Sequence, residues 1–400
     1  MANKPRIRFK GFTEDWEQRK LGEIFEYLQN NTLSRDSLNY KNPNIKNIHY
    51  GDILVKFDEI LDGSNKDIPY INSELDLSKF SKSLLRDGDI VFSDTAEDDT
   101  VGKAIELQNV NAPFILGGLH TIPCRSLIPF GKGYLGNFLN SDSYRLQLRP
   151  LIQGIKVSSI SKSALKDTVI EYPKNLDEQE KIGSLFYYIA KMITLHQCKL
   201  EKLKLTKKAL LQKLFPKNGK HIPEIRFKGF TDTWEQRKLI YIFNDFIVPM
   251  RDKPKVFSGT TPWTRIEDIE GRYINTSLSG QFVSDEIIKS MNLKVIPRGS
   301  LIVSASATFG VVAIVTNDLI TNQTFIGLVP NKDFDIDFLY SLFEAPTTKG
   351  KLLKLSAGST IFYIARESFE NLVLSVPSKE EQIKISKVFK SIDDSITLHQ

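Results

Sequence analysis

The sequence predicts a protein of mixed α/β (α+β) class, with two pseudo-symmetric globular domains separated by a pair of long antiparallel coiled-coil helices. Three observations predict it. One strip of sequence occurs twice almost unchanged, the segment that closes each repeat also recurs, and both closing segments have the apolar spacing of paired helices. A chain of 400 residues is also too long for one typical core.

The two repeats follow each other in the same order. IRFKGFTEDWEQRKL at 7–21 and IRFKGFTDTWEQRKL at 225–239 agree at 13 of 15 positions, with an offset of 218 residues. EQEKIGSLFYYIAKMITLHQ at 178–197 returns as EQIKISKVFKSIDDSITLHQ at 381–400, with an offset of 203. Each repeat therefore covers about two hundred residues.

The middle of each repeat diverges. Residues 26–150 and 240–355 share little beyond a few glycines and apolar positions, whereas 154–173 and 358–377 match in pattern. The four polar residues EQRK would be expected to diverge between the two repeats if they contacted only solvent. We therefore infer one surface presented twice, to two copies of one partner, about a pseudo-two-fold axis. The alternative is a duplication whose conserved ends are simply core.

Local patterns predict the elements of the first repeat. In chain order we expect a short helix in LGEIFEY (21–27), a loop over 30–44, one or two strands around Gly51 in IKNIHYGDILV (45–55), a buried strand in DGDIVFS (87–93), helix over 134–149 and a closing strand in DTVIEYP (167–173).

The closing segments predict long helices. Apolar residues follow a heptad seam at Ile182, Phe186, Ile189, Ile193, Leu200, Leu203, Leu210 and Leu214, and again at Ile385, Phe389, Ile392 and Ile396. The steps alternate between four and three when His196 and Lys207 fill the two gaps of the first series. We place domain boundaries at 1–176 and 217–377, with the helices at 177–216 and 378–400; the second is about 20 residues shorter. His196 and His399 also lie in the seam, where a polar residue sets helix register; the alternative is a metal site.

Composition excludes several classes. Hydrophobic residues make up 41% and charged residues 26%, and the net charge is +6, which permits but does not require nucleic-acid binding. We find no signal peptide and no apolar run long enough to span a membrane. Cys124 and Cys198 are too few for a disulfide framework or a zinc site, and we expect a cytoplasmic protein.

A search for catalytic motifs finds none. GxxxxGK[ST], GxSxG and HExxH are missing, and no two histidines have metal-ligand spacing. SDTAEDD (93–99) could hold Mg²⁺ through its carboxylates, but its counterpart SASATFG (304–310) has none, so we expect a solvated loop. The sequence predicts no catalytic residue and no metal site.

Taken together, these features resemble the specificity subunit of type I restriction–modification systems. The matching segments cover essentially the whole chain: Trp16–Ile24 and Trp234–Leu239, 154–173 and 358–377, and the helices that open at Glu178 and Glu381. Each motif is weak by itself, but their duplication in this order is specific.

The resemblance implies a non-catalytic DNA-binding protein. Its two target recognition domains would each read one half of a bipartite, asymmetric site in double-stranded DNA. Two modification subunits, which use S-adenosylmethionine to methylate adenine, would dock on the repeated parts, and restriction subunits with ATP-driven translocase and nuclease activity, which use Mg²⁺, would join them. No cofactor is expected on this chain. Because the second helix is shorter, we expect the second modification subunit to bind more weakly.

Two sets of site residues follow. Sequence reading needs hydrogen-bonding side chains at bases and cations at phosphates. For DNA we predict Lys46, Lys56, Ser93, Thr95, Lys156, Ser158 and Ser159 in the first domain, and Arg265, Ser304, Ser306, Thr308, Ser359, Thr360 and Arg366 in the second. For the protein partners we predict Trp16, Gln18, Arg19, Lys20, Glu178, Gln179, Trp234, Gln236, Arg237, Lys238, Glu381 and Gln382.

Two other functions stay open. The chain could be a scaffold that joins two identical protein partners without binding DNA, which a salt-dependent DNA-binding assay would separate. It could also be an independent nuclease or methyltransferase.

Overall fold

The computed structural model describes residues 5–41, 45–72, 77–111, 114–154, 156–217, 219–249, 253–304, 310–355 and 366–399. The chain divides into two compact units, Met1–Thr194 (unit 1) and Leu195–Gln400 (unit 2). The division falls inside the longest helix rather than at its ends. Among the helices in these ranges, none combines the length and apolar content that a bilayer span requires.

Unit 1 contains many short strands and helices before its long helix. The strands are β1 (Glu17–Lys20), β2 (Phe25–Tyr27), β3 (Leu38–Asn39), β4 (Lys46–Ile48), β5 (Ile60–Asp62), β6 (Tyr70–Ile71), β7 (Ile90–Ser93), β8 (Thr95–Ala96), β9 (Ala104–Gln108), β10 (Ile115–Gly117), β11 (Thr121–Ser126), β12 (Ser158–Ser159) and β13 (Val169–Tyr172). The helices are α1 (Leu21–Ile24), α2 (Tyr50–Val55), α3 (Tyr134–Leu139), α4 (Asp142–Leu148), α5 (Lys162–Lys166) and α6 (Leu176–Lys213), with 3₁₀ turns at Arg35–Ser37, Leu77–Phe80 and Arg149–Leu151.

Unit 2 repeats much of this order. Its strands are β14 (Glu235–Lys238), β15 (Phe243–Ile247), β16 (Thr261–Thr264), β17 (Ile269–Glu270), β18 (Tyr273–Ile274), β19 (Phe282–Val283), β20 (Leu301–Ser304), β21 (Val312–Val315), β22 (Ile320–Thr321), β23 (Phe325–Pro330) and β24 (Val373–Val376). The helices are α7 (Asp285–Ser290), α8 (Ile336–Glu344), α9 (Pro346–Leu355), α10 (Arg366–Glu370) and α11 (Lys379–Leu398), with 3₁₀ turns at Leu239–Tyr241 and Ile266–Asp268.

The main sheets of the two units have one topology. In unit 1 the order is β2-β11-β7-β9-β5, and in unit 2 it is β15-β23-β20-β21-β18, with β17 added at the edge. In both sheets the first three pairings are antiparallel and the pairing of β9 with β5, or of β21 with β18, is parallel. Both central strands, β7 and β20, are buried along their whole length. The divergent middles are therefore two versions of one mixed fold.

The conserved strip EQRK forms the same two-stranded ribbon in each unit. β1 pairs antiparallel with β13, and β14 pairs antiparallel with β24. Gln18 lies opposite Glu171, and Gln236 lies opposite Ser375, so the two registers agree at the repeat offsets. The sequence repeat is therefore a structural repeat.

Within unit 2 the end of α6 packs against α11 as an antiparallel pair. The ring of Phe215, just past the end of α6, lies 5.9 Å from the ring of Phe389. The Nζ atom of Lys207 lies 2.7 Å from the Asp393 carboxylate. Later residues of one segment thus meet earlier residues of the other, as the heptad seam predicts.

Two local predictions need correction. One of the strands predicted in 45–55 is present as β4 (Lys46–Ile48). Residues 50–55 form the helix α2 instead of a second strand, because the His49 ring Nδ1 accepts a hydrogen bond from the Gly51 N–H and caps the first turn. Residues 21–27 are helical only to Ile24 and then enter β2. The predicted helix over 134–149 is present as α3 and α4.

Candidate nucleic-acid interface and docking surfaces

A strand pairing in unit 1 brings together predicted DNA-contacting residues from two distant segments. β12 pairs antiparallel with β8, which places Ser159 opposite Thr95 and Ser158 opposite Ala96. Lys156 precedes this pair on the surface. The Thr95 hydroxyl donates to the Asp94 carboxylate at 2.7 Å. Hydroxyls and a cation are thereby gathered at the end of the central strand β7.

Lys56 directly follows α2 and belongs to a neighbouring set of charged and aromatic side chains. Its Nζ pairs with the buried Asp52 carboxylate at 2.9 Å and donates to the Tyr40 hydroxyl at 3.1 Å. Arg35 also binds Asp52. These contacts raise the pKa values of both cations, Arg35 mainly through Asp52 and Lys56 mainly through Tyr40 and then Asp52. The exposed side chains of Arg35 and Lys56 thus share the one buried carboxylate of Asp52, and the local net charge is positive.

Aromatic rings connect these two sets. The Tyr50 ring at the start of α2 lies 5.3 Å from the exposed His120 ring, and His120 Nδ1 lies 3.2 Å from the Asp94 carboxylate. His120 has a left-handed backbone with φ of 54°, which is uncommon for a residue other than glycine. We call the whole set the polar cluster; its members are Arg35, Tyr40, Tyr50, Lys56, Thr95, His120, Lys156, Ser158 and Ser159.

Sequence reasoning missed four members of the polar cluster: Arg35, Tyr40, Tyr50 and His120. Residues 30–44 were predicted only as a loop, and the region of Tyr50 as a strand. The available signal was an arginine and tyrosines in a polar, asparagine-rich stretch. Because their contact with Lys56 and Thr95 depends on tertiary structure, that signal was too weak to use.

Two predicted DNA-contacting residues of unit 1 require correction because they are buried. Lys46 is only 2% exposed, and its Nζ donates to the carbonyl oxygens of Gly63 and Asn65 at 2.6 and 2.9 Å. Burial lowers its pKa. Ser93 is fully buried, and its hydroxyl donates to the Thr95 carbonyl oxygen at 2.8 Å. We assign both a structural role.

The described part of unit 2 contains fewer of the predicted residues. Arg265 directly follows β16 and donates through Nη2 to the Gln281 side-chain oxygen at 2.9 Å. Arg366 is exposed and pairs with Glu370 at 2.6 Å. Ser304 is buried, which removes it from the predicted set. Ser306, Thr308, Ser359 and Thr360 lie outside the described residues.

Arg265 has a counterpart in unit 1 that the sequence comparison did not reveal. β4 pairs in parallel with β10, and β16 pairs in parallel with β22. His49 follows the first strand and Arg265 follows the second. Burial and the charge of Arg35 lower the pKa of His49. The same place in the fold therefore holds a histidine with a lowered pKa in unit 1 and an arginine in unit 2.

The predicted docking strip is exposed and similarly braced in both units. Its three polar side chains are exposed in each copy. Lys20 pairs with Asp167 at 2.9 Å, and Lys238 donates to the Asn371 side-chain oxygen at 3.0 Å. Arg19 and Arg237 each pair with the glutamate two residues earlier on the strand. The strand EQRK is therefore presented twice, beside Asp167 and Glu171 in unit 1 and beside Asn371 and Ser375 in unit 2.

Four predicted partner-binding residues are buried at the starts of the long helices, at 1–2% exposure: Glu178, Gln179, Glu381 and Gln382. The Arg8 guanidinium donates two hydrogen bonds to the Glu178 carboxylate. The Arg226 guanidinium donates two in the same way to the Glu381 carboxylate, each at 2.8 Å. Each pair fixes the conserved strip to its helix. No surface of these carboxylates is available to a partner.

Gln179 and Gln382 make equivalent pairs of hydrogen bonds in the two units. Gln179 accepts from the Gly131 N–H at 2.8 Å and donates to the Pro173 carbonyl oxygen at 2.7 Å. Gln382 makes the corresponding bonds to the Asp335 N–H and the Pro377 carbonyl oxygen at 3.0 Å each. These glutamines join the body of each unit to its long helix, so we assign them to structure rather than docking.

The tryptophans also differ from the docking prediction. Trp234 is 2% exposed and lies 6.1 Å from both the Phe215 and Phe338 rings. Trp16 is half-buried and lies 6.1 Å from the Tyr134 ring. Burial of Trp234 excludes it from a docking surface, whereas Trp16 keeps an accessible side.

The acidic loop after β7 is braced by its own hydrogen bonds. Asp98 accepts from both the N–H and the hydroxyl of Thr100, and this lowers its pKa. Within the part of the chain that the structure describes, no three His, Cys, Asp or Glu side chains are placed to hold a metal ion.

Comparisons with known proteins agree with the repeat. A family model described as the type I restriction modification DNA specificity domain matches residues 13–205 and again residues 232–400. The type I restriction enzyme MjaIX specificity subunit of Methanocaldococcus jannaschii is 31% identical over 141 residues, which is 35% of this chain and 33% of that protein. The putative type I restriction enzyme MjaX specificity subunit of the same organism is 23% identical over 396 residues, 96% of this chain and 88% of that protein.

A solved structure shares the fold. The S subunit of a type I restriction-modification system from M. genitalium superposes with a TM-score of 0.59 at 13% identity, covering 99% of this chain and 93% of that one. The family model matches both repeats and most of the chain. The chain therefore belongs to the family of specificity subunits of type I restriction–modification systems.

Proposed function

We propose that this chain is the subunit that selects the DNA sequence in a type I restriction–modification complex. Each unit binds one half of a bipartite, asymmetric site in double-stranded DNA. The ribbons β1-β13 and β14-β24 dock two modification subunits. The observation that carries the proposal is the contrast between two ribbons in the same register and two different surfaces at the ends of equivalent sheets.

The polar cluster supplies the chemistry that DNA requires in unit 1. Lys156, Lys56 and Arg35 can neutralise phosphates, and hydroxyls such as that of Thr95 can hydrogen-bond to base edges or phosphates. The exposed tyrosine and histidine rings add flat surfaces beside these donors. In unit 2, Arg265 and Arg366 supply cations of the same kind.

The ribbons supply the docking chemistry. A partner that binds one ribbon meets the same arginine and lysine on the other, because the side chains of β1 and β14 are identical and the backbone registers agree. Two copies of one methyltransferase subunit are the simplest occupants. In this arrangement the partner subunits hold S-adenosylmethionine, ATP and Mg²⁺, and this chain contributes recognition.

The salt dependence of DNA binding tests the proposal. We would measure the affinity for a fluorescent random-sequence duplex by anisotropy, with the modification subunits present, at several salt concentrations. Lys156→Ala should reduce the slope of log affinity against log salt by about 0.9, the value for one lost phosphate contact. Lys174→Ala, which changes an exposed lysine outside the polar cluster, is the matched control and should leave the slope unchanged.

Two results would reject this function. Binding that does not depend on salt, or no binding with the modification subunits present, would favour the scaffold that joins two partners without DNA. Equal slopes for the Lys156 and Lys174 variants would leave DNA binding in place and remove Lys156 from the DNA interface.

A further inference from the structure

We propose that Arg265 reads a guanine in the half-site that unit 2 binds, and that Gln281 positions its guanidinium for this contact. The inference rests on the proposed function, because it names a base of the DNA site and the residues that select it. Arg265 touches the base, whereas Gln281 acts through Arg265 and is a positioning residue.

The strand registers place Arg265 where unit 1 has its polar cluster. β16 pairs in parallel with β22 as β4 pairs with β10, and both pairings extend to the last residues of the strands. Arg265 directly follows β16, and His49 directly follows β4. The turns that lead from β22 to β23 and from β10 to β11 both have three residues, 322–324 and 118–120. The second turn contains His120 of the polar cluster, so Arg265 lies at the equivalent edge of unit 2.

A buried carboxylate holds the backbone of Arg265. Asp268 is 5% exposed, and one of its oxygens accepts from the Arg265 N–H at 2.7 Å. The other oxygen accepts from the Leu278 N–H at 2.7 Å, and the Asp268 N–H donates to the Arg265 carbonyl oxygen at 3.2 Å. The side chain of Arg265 therefore starts from a fixed point, which reduces the entropy that binding would cost.

Gln281 holds the far end of the Arg265 side chain. Its Oε1 accepts from Nη2 of Arg265 at 2.9 Å. Gln281 is itself fixed, because its N–H donates to the Ser277 hydroxyl at 3.2 Å and its carbonyl oxygen accepts from the backbone N–H of the buried Trp263 at 2.9 Å. Within the described part of the chain, Gln281 is the one hydrogen-bond partner of the Arg265 guanidinium.

The partner of Arg265 is uncharged, which distinguishes this arginine from others in unit 2. Arg366 pairs with Glu370, and Arg237 pairs with Glu235. A carboxylate neutralises the cation and can occupy two parallel N–H groups of its fork, whereas an amide oxygen takes one of five. Arg265 is partly exposed and therefore keeps both its charge and most of its donors for a ligand.

Among the four bases, guanine matches such an arginine best. In the major groove guanine presents two neighbouring acceptors, N7 and O6. Adenine presents one acceptor beside an N6 donor, cytosine presents a donor, and thymine presents one acceptor beside a methyl group. Only guanine accepts two hydrogen bonds from a group that donates alone, so the chemistry of the fork selects it.

The surroundings of Arg265 favour a base over a phosphate. Asn322 and Gln323 follow β22 at the same edge, and Gln323 is exposed. Amide side chains hydrogen-bond to base edges, and a phosphate contact needs a cation but no particular orientation of it. An arginine that is fixed at its backbone and at Nη2 has the defined orientation that base reading requires.

Unit 1 has different chemistry at this position. His49 is 7% exposed, and its ring Nδ1 accepts from the Gly51 N–H at 3.2 Å. A neutral ring in this state can donate only through Nε2. It offers one donor at most, so the guanine contact belongs to unit 2 and distinguishes its half-site from that of unit 1.

The methylated motif tests the assignment in the complex with the modification subunits. DNA that the complex has modified is sequenced for N6-methyladenine, first with the wild-type chain and then with Arg265→Gln. We expect Arg265→Gln to make one guanine of one half-site degenerate and to leave the other half-site unchanged. Arg298→Gln is the matched control and should preserve the motif, because Arg298 is exposed before β20, whereas the turn at 322–324 lies at the opposite end of that strand.

A modified base tests the contact itself. 7-Deazaguanine lacks N7, so at the degenerate position it should weaken binding of the wild-type complex about tenfold, measured by fluorescence anisotropy. The Arg265→Gln complex should bind the guanine and 7-deazaguanine duplexes equally. Gln281→Leu should reduce the discrimination between the two duplexes by about threefold or more. Gln281→Glu keeps an acceptor for Nη2 and should retain the discrimination, whereas a merely structural role of Gln281 would change the affinity for both duplexes alike.

Failure of the proposed function and failure of this inference give different results. If the complex does not bind DNA, the proposed function fails and the inference fails with it. If the complex modifies a motif that Arg265→Gln leaves intact, or changes at a base other than guanine, the inference is overturned and the proposed function stands. Should Arg265→Gln not fold, each guanine of the motif is replaced in turn by 7-deazaguanine with the wild-type complex. Unchanged affinity at every guanine would overturn the inference.

Discussion

Phe186 and Phe389 are the same residue at the same repeat position, and they should respond very differently to truncation. Phe389 is fully buried and stacks on Phe215 at 5.9 Å. Phe389→Ala removes a buried ring and leaves a cavity, which destabilises a protein by about 3–5 kcal/mol. Phe186 is 48% exposed, and water fills the space that its ring leaves. Phe186→Ala should therefore remove only about half of a transfer free energy, about 1 kcal/mol.

Equilibrium unfolding in urea measures both changes. For a unit of about two hundred residues we take a slope near 2 kcal/mol/M, so the midpoint should fall by about 1.5–2.5 M for Phe389→Ala and by about 0.5 M for Phe186→Ala. The transition of each unit must be followed separately, because two compact units need not unfold together. Tryptophan fluorescence provides the probes, with Trp16 in unit 1 and Trp234 in unit 2.

Equal losses of stability for the two variants would refute the reasoning. They would mean that the Phe186 ring is as well covered as the Phe389 ring. The cavity of unit 1 that Phe186 lines would then be closed in solution.

Two further perturbations test the anchoring of the helices. Arg226→Met leaves the buried Glu381 carboxylate without its counter-ion, so it should destabilise unit 2 by about 3 kcal/mol. Glu381→Gln in the same chain should restore part of this loss. A loss of less than about 1 kcal/mol in thermal unfolding would show that the ion pair contributes little to stability. The pKa of His399 is lowered by burial and then by the charges of Lys199 and His196, so the unfolded chain binds the proton first as the pH falls. The stability that neutral His399 contributes should be complete above a pH of about 6.5 and should decline as the pH falls toward the lowered pKa. His399→Leu should make this decline less steep in melting curves followed by circular dichroism. An unchanged decline would assign the pH dependence to other groups.

The predicted sites illustrate the limits of sequence reasoning. Lys46 and Lys156 are both lysines in divergent segments, and the sequence distinguishes them poorly. Lys46 turns inward because two carbonyl oxygens receive its Nζ. Lys156 stays on the surface beside the β12-β8 pair. Residue type indicates what a side chain can bind, but only packing decides whether it meets solvent.

The conserved polar residues show a second limit. Glu178 and Glu381 were predicted to bind the protein partners together with the repeated strip EQRK. The structure has a different reason for their repetition, since each is held by an arginine from the conserved strip at Arg8 or Arg226. A buried ion pair restricts substitution as strongly as a binding partner does.

The sequence by itself determined the doubling of the fold, the family and the long helices, because repeats and heptad spacing are properties of the order of residues along the chain. Tertiary structure alone decided which members of each repeat are accessible. Phe186 and Phe389 occupy the same repeat position and have opposite environments, because burial depends on which segment packs above them. That segment is Leu211–Phe215 in unit 2, and a cavity beside Trp16 and Phe186 lies at the matching place in unit 1.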